Sequence, residues 1–260
     1  MKIDLHERTA LVCGASKGIG RAVAVELSKS GANVILVARN MKDLTYTTSL
    51  LNPAGKHSYI IADLQNPTEA LNIIKSQLPC ENCIDILVNN SGGPPSGKII
   101  KSEISDFIDA MERHLHASHL ITQELSKGMI SKNFGRIINI ISVSVKQPIE
   151  NLGVSNTVRA AMAAWAKTLS IELGAFGITV NNILPGQTAT DRLNYLIENI
   201  ATASGESTGE VELRMKSMIP AGRFAKPEEI AYLAVFLASE YSSFINGTSI
   251  PVDGGFVKSI

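Results

Sequence analysis

The chain is short of cysteine, of net charge and of long apolar runs, and each shortage excludes something. Three cysteines in 260 residues give no disulfide framework. Cys80 and Cys83 form a lone C-x-x-C, but a structural zinc site needs four ligands. Cys13 cannot join them, because it ends the first strand while Cys83 precedes the fourth, most of a strand length away. No metal is expected. Formal net charge is zero and no long basic run occurs, so nothing recruits nucleic acid or an anionic membrane surface. No apolar run reaches the roughly 18 residues of a membrane span. The opening Met1 to Glu7 is too polar, and too soon followed by a strand, to be a signal peptide. A cytoplasmic protein is expected. Aromatic residues make up 5% of the chain, and no tyrosine lies between Tyr59 and Tyr195, an absence with chemical consequences.

What is present is a regular alternation of strand and helix signals. Ala10 to Val12 reads as a buried parallel strand, followed by a glycine cluster and then Ile19, Val23 and Leu27 at helical spacing. Further strands are expected at 33–38, 58–63, 84–88, 136–141, 178–183 and 249–252. Helices are expected to about Leu51, over 67–78, over 102–131 (one long helix or a broken pair), over 153–173 and over 227–238. The polar, weakly patterned stretch 187–219 is a candidate lid. Such alternation implies right-handed crossovers and a parallel sheet covered on both faces. With 45% apolar and 18% charged residues, and no repeat or linker, one α/β domain over 1–260 is expected: a single doubly wound, Rossmann-like sheet of about seven strands.

Strand, glycine turn and helix in that order aim several backbone N–H groups and the positive end of a helix dipole at one point, which suits a diphosphate. The turn is Gly14-Ala-Ser16-Lys17-Gly18-Ile19-Gly20, spaced G-x-x-x-G-x-G. Further along stand Asp63 after the third strand, Asn89-Asn90-Ser91-Gly92, Gly135-Arg-Ile-Ile-Asn-Ile-Ile-Ser142, Gly177-Ile-Thr-Val-Asn-Asn182, Pro185-Gly186, Pro227-Glu-Glu-Ile230 and Asp253-Gly-Gly255. In this ordered set, from about Thr9 to Gly255, the chain resembles the short-chain dehydrogenase/reductase family, near the 3-oxoacyl-(acyl carrier protein) reductases. The resemblance implies NAD(P)-dependent interconversion of a ketone, with a 3-oxoacyl thioester as one candidate, and a secondary alcohol, in a homodimer or homotetramer.

It also assigns the cofactor site residue by residue. Gly14, Ser16, Lys17, Gly18, Ile19 and Gly20 form the glycine turn. Asp63 and Leu64 meet the adenine, and Asn90 belongs to the same wall, with Asn89 bracing the strand ends. Pro185, Gly186 and Thr188 hold the nicotinamide carboxamide, and Arg159 reaches the ribose. NAD-preferring relatives place an acid at the end of the second strand. Here Ala38 stands there, followed by Arg39, and with Lys17 it makes two cations that favour the 2′-phosphate of NADP(H).

The family's reaction uses a Ser, a Tyr, a Lys four residues after the Tyr, and an Asn on the preceding long helix. Aligned through the fifth strand, Ser142 falls on the Ser, Ser155 on the Tyr, Arg159 on the Lys and His114 on the Asn. An aliphatic hydroxyl is a far weaker acid than a phenol of pKa ~10. Losing a positioned general acid typically costs ~10²–10⁴ in rate, whereas proximity alone supplies ~7–11 kcal/mol. A slow or rewired enzyme is expected, with Ser142, Ser155, Arg159 and His114 as its catalytic set. Arg159 either grips the ribose and polarises the substrate oxygen or only preserves cofactor binding. His114 is either a replacement acid or a packed interface histidine. His114, His116 and His119 do not share one face of a helix, so they form no metal cluster. Tyr195 is a possible donor from the lid, and the alanines around Trp165 could admit a partner helix. Two other readings stand: a catalytically retired NADP(H)-binding sensor or assembly subunit, and a hydride or lyase reaction that needs no strong acid.

Overall fold

A computed structural model describes residues 2–80 and 82–259. The strands are β1 (Thr9–Cys13), β2 (Asn33–Ala38), β3 (Ser58–Ile61), β4 (Ile86–Asn89), β5 (Gly135–Ile140), β6 (Ile178–Pro185) and β7 (Ser249–Val252). They form one seven-stranded sheet in the order β3-β2-β1-β4-β5-β6-β7, with every pairing parallel. The helices, in chain order, are α1 (Gly18–Lys29), α2 (Met41–Ser49), α3 (Pro67–Gln77), α4 (Ile104–Met111) and α5 (Ala117–Lys132). After them come α6 (Gly153–Leu173), α7 (Asp191–Ser204), α8 (Thr208–Ser217) and α9 (Pro227–Ala238).

Strand β1 shows why this sequence makes a sheet with two covered faces. Successive side chains leave a strand on opposite sides. Ala10 and Val12 therefore enter one apolar core, with Val23 and Leu27 of α1 and Ile230 and Ala234 of α9. Leu11 and Cys13 enter the other, with Ile74 of α3, Ile121 and Met129 of α5 and Ala166 of α6. The chain runs outward from β1 through β2 to β3, then crosses back to β4 and continues the other way. Its reversal between β1 and β4 opens a crevice at the carboxyl ends of those strands, the usual place for a ligand in an open α/β sheet.

A row of polar side chains crosses the sheet just below that crevice. Asn89, Asn139, Asn182 and Ser249 are register partners on four neighbouring strands. Asn89 Nδ2 donates to Asn139 Oδ1 at 2.9 Å, Asn139 Nδ2 to Asn182 Oδ1 at 2.9 Å, and Asn182 Nδ2 to Ser249 Oγ at 3.0 Å. The three asparagines are buried, where amides are held by pairing of this kind; within the row Asn89 Oδ1 lacks a partner. The bracing expected of Asn89 thus extends across more than half the sheet.

The differences from expectation are local. β3 ends at Ile61 rather than Asp63, and β4 covers 86–89 rather than 84–88. The long helix is continuous in path but widens at Glu112–His116 into a π-helical turn, an irregularity frequent at functional sites. The stretch 187–219 holds two well-capped helices. Thr190 Oγ1 accepts from Leu193 N ahead of α7, and Ser207 with Glu210 forms a capping box ahead of α8. Leu193, Ile197, Val211 and Met215 bury a small core between them, which the polar composition had masked. No helix among the described residues is long and apolar enough to cross a membrane.

Candidate active site

A cleft of about 690 Å³ lies over the carboxyl ends of the central strands. Every residue expected at the cofactor lines it, from Gly14 to Gly20 through Arg39, Asp63, Leu64 and Asn90 to Pro185, Gly186 and Thr188. Ser142, Ser155 and Arg159 line it too, whereas His114 lies behind its wall.

The floor is the glycine turn. Gly14 has φ +59°, and a Cβ there would stand 2.6 Å from Asn90 Nδ2; only glycine meets both conditions without strain. Asn90 Nδ2 donates to Cys13 O at 3.3 Å and Gly14 O at 3.2 Å, so the side chain of Asn90 braces the turn. Lys17 begins α1 without a side-chain cap, which leaves the first N–H groups of the helix for an anion. Arg21 Nη2 donates to Ser16 O and Arg21 Nε to Thr47 Oγ1, tying the turn to α2.

The expected pair of cations is present at the outer end, but acids stand beside both. Lys17 Nζ lies 3.6 Å from Asp43 and 4.0 Å from Asp191, and Arg39 Nη1 lies 3.7 Å from Asp63. Asp43 escaped notice because it lies five residues beyond Ala38, where Asn40 caps α2 and Asp43 N donates to Asn40 Oδ1. These contacts are long and half exposed, worth ~0–1 kcal/mol each, and a phosphate dianion competes with them readily.

At the inner end, Ser142 Oγ accepts from Ser144 N at 3.1 Å, which fixes the hydroxyl at the head of β5 with its proton free. Ser155 and Arg159 stand one turn apart on α6 and reach the same space. Arg159 is buried, donates from Nη1 to Ile140 O at 3.1 Å, and has no partner at Nε. Burial, with the charge of Arg192 added, pulls its pKa down to about 10. The loop after β4 is pinned to the head of α6, since Gly97 N donates to Asn151 O at 2.7 Å.

His114 is not an interface histidine. It is 3% exposed, and its Nδ1 shares a 2.5 Å hydrogen bond with Ser91 Oγ while Nε2 has no partner. Burial first, then the charges of Arg159 and Arg113, hold its pKa well below 6.5. The ring is therefore held neutral near pH 7, which weighs against His114 as a replacement acid. With the proton on Nδ1 the ring donates to Ser91, and the hydroxyl proton of Ser91 is free to face the cleft. His116 turns outward to Glu112 at 3.2 Å, and His119 Nδ1 lies 3.3 Å from Trp165 Nε1. Tyr195 is half exposed, does not line the cleft, and lies against the guanidinium of Arg192.

The family model described as enoyl-(acyl carrier protein) reductase matches residues 14–257. The NADPH-dependent reductase BacG of Bacillus subtilis is 32% identical over 260 residues, spanning 98% of this chain and 100% of that protein. The 3-oxoacyl-(acyl-carrier-protein) reductase FabG of Haemophilus influenzae is 34% identical over 258 residues, spanning 98% and 100%.

The chain belongs to the short-chain dehydrogenase/reductase family.

Solved structures of short-chain dehydrogenases/reductases agree in fold. YwfH, an NADPH-dependent reductase of bacilysin biosynthesis, superposes with TM-score 0.90 at 32% identity, covering 98% of this chain and 100% of that one. L-sorbose reductase of Gluconobacter frateurii, complexed with NADPH and L-sorbose, gives 0.90 at 28% identity over 100% of both chains. The departures expected from the family resemblance, at Ser91, Ser155, Arg159 and His114, gather at the inner end of the cleft and the wall behind it. Ser91 was legible as a departure, since the family usually carries alanine there, but its link to His114 was not. Arg113 and Arg192 were missed altogether.

Proposed function

We propose that the protein is an NADP(H)-dependent oxidoreductase that interconverts a ketone and a secondary alcohol with altered acid–base groups, acting in the cytoplasm as a homodimer or homotetramer. The residues fit the dinucleotide. The glycine turn is a cradle that a Cβ at Gly14 would fill, and Arg159 Nε and Gln187 Oε1 are buried polar atoms in the cleft wall without partners. Gly14 to Gly20 would hold the diphosphate, Lys17 and Arg39 the 2′-phosphate, Asp63 and Leu64 the adenine, and Pro185, Gly186 and Thr188 the carboxamide. Bound there, the cofactor supplies or accepts the hydride. Around it, Ser142 and Ser155 donate hydrogen bonds to the substrate oxygen, and Arg159 offsets the negative charge that grows there. Because Arg159 keeps its proton, the proton has to come from solvent through a cleft hydroxyl that takes up one proton as it gives another, and His114, whose Nε2 has no partner, orients the Ser91 hydroxyl and supplies no proton itself. The helices α7 and α8 form the lid.

The observation that carries this reading is the convergence of Ser142, Ser155 and Arg159 on the cleft that the glycine turn opens into. Ketones and 3-oxoacyl thioesters offered with NADPH test it. Ser142→Ala should lower turnover by about 10²–10³. Ser155→Tyr with Arg159→Lys should raise it if the wild-type site is merely a weakened family site; a fall would mean that the altered groups form a working arrangement of their own. The second reading, an NADP(H)-binding sensor or assembly subunit, is favoured by the bond that ties Arg159 to Ile140 O. It requires NADPH binding with no turnover of any substrate in the panel.

A further inference from the structure

Among the described residues, no carboxylate lies within ion-pair distance of Arg113, Arg159 or Arg192, yet all three line the cleft. Arg113 is satisfied by Gln65 Oε1 at 2.9 and 2.6 Å. The other two converge. Arg192 Nη2 donates to Pro94 O at 2.5 Å. Arg192 Nη2 and Nε stand 3.7 and 3.8 Å from the point a Cβ on Gly93 would occupy, and Arg159 Nη2 stands 3.9 Å from the same point. The missing side chain of Gly93 thus leaves a gap bordered by two guanidinium groups.

This arrangement is costly without a ligand. Arg192 sits in the first turn of α7, where the helix dipole opposes a cation. Burial depresses the pKa of both arginines, and the charge of Arg192 depresses that of Arg159 further. Like charges brought together out of water call for an anion. The diphosphate is expected elsewhere, at the glycine turn, where the Thr190 methyl stands 3.2 Å from the Cβ position of Gly18.

We infer that the substrate is an oxo acid, whose carboxylate is gripped over Gly93 by Arg192 and the free edge of Arg159. This rests on the oxidoreductase reading above and narrows its substrate class. A 3-oxoacyl thioester, which has no charge beside its carbonyl, would leave the two cations unanswered. A carboxylate accepts two parallel hydrogen bonds from a guanidinium, a geometry that lysine does not reproduce.

The test compares 2-oxo-4-phenylbutanoate, acetoacetate and 4-oxopentanoate with their ethyl esters, using NADPH and the wild type, Arg192→Gln and Arg192→Lys. For at least one pair the wild type should prefer the acid in kcat/KM by about 10- to 100-fold. Arg192→Gln should erase that preference by raising KM for the acid, with the Kd of NADPH unmoved, and Arg192→Lys should restore part of it. Equal use of acid and ester overturns the inference while leaving the oxidoreductase reading intact. So does a rise in the Kd of NADPH that matches the rise in KM, since Arg192 would then serve the cofactor. Should no ketone be reduced, melting temperature decides independently, measured with NADP and each oxo acid, a pair that cannot react. A rise in the wild type that Arg192→Gln abolishes supports the carboxylate site, and no rise with any acid refutes it.

Discussion

Protonation of His114 should be coupled to folding, and the size of the effect follows from its surroundings. The ring is buried, bonded to Ser91 on one side, and pushed well below pKa 6.5 by desolvation and by Arg159 and Arg113. In the unfolded chain the same ring titrates near 6.5. As pH falls through that value the unfolded state takes up a proton that the folded state refuses. The stability linked to His114 is therefore fully present above pH 6.5 and drains away below it. One proton carries at most ~1.4 kcal/mol per pH unit, so the loss between pH 7.5 and 5.5 is on the order of 1 kcal/mol. With a urea m-value of ~3 kcal/mol/M, that is a midpoint shift of roughly a few tenths molar. Urea unfolding at pH 7.5, 6.5 and 5.5, for the wild type and His114→Asn, isolates the effect. The variant changes stability by some constant amount, but the gap between the two proteins should shift by about 1 kcal/mol against the wild type across that range. A gap that does not vary with pH would mean that the folded ring titrates normally, and the neutral Ser91–His114 pair would have to be abandoned.

Two further outcomes follow from the fold and the cofactor end. Asn139→Leu removes the donor to Asn182 Oδ1 and leaves Asn89 Nδ2 only the 3.4 Å bond to Thr122 Oγ1, and a buried polar group left unpaired costs ~1–3 kcal/mol. Its thermal midpoint should fall by at least ~5 °C, and a loss under 1 °C would show that the row contributes little. Arg39→Glu places an acid beside the expected 2′-phosphate. The Kd of NADPH should rise about 10- to 100-fold with that of NADH changed far less, as read by nucleotide fluorescence, and equal losses for both would contradict that placement.

Much of the sheet could be read from apolar runs such as Val34–Ala38 and Ile86–Val88, because buried parallel strands carry unbroken hydrophobic stretches, whereas Ile178–Ile183 is interrupted by Thr179, Asn181 and Asn182. The glycine turn was legible because Gly14 serves a backbone conformation that few other residues adopt. What stayed hidden depends on phase and direction. A π turn inserts an extra residue per turn, so the inward aim of His114 toward Ser91 could not be deduced from regular helical spacing. The reach of Arg192 back to Pro94, 98 positions away, leaves no local trace. The segment 187–219 looked unpatterned because its two helices bury a narrow core and expose the rest, as Leu213 and Tyr195 do.

The amide row through Asn89, Asn139 and Asn182 has a mechanical consequence. A slide of any one strand by a single residue would carry its amide to the opposite side of the sheet and unhook the crossbar on both flanks. The heights of the strand tips are thereby locked together, so Ser142, which follows β5, and Pro185, which ends β6, keep a fixed level relative to the ledge that follows β4. The strand tips under the two ends of the cleft are tied through one chain of hydrogen bonds, so a register change at either end would be felt at the other.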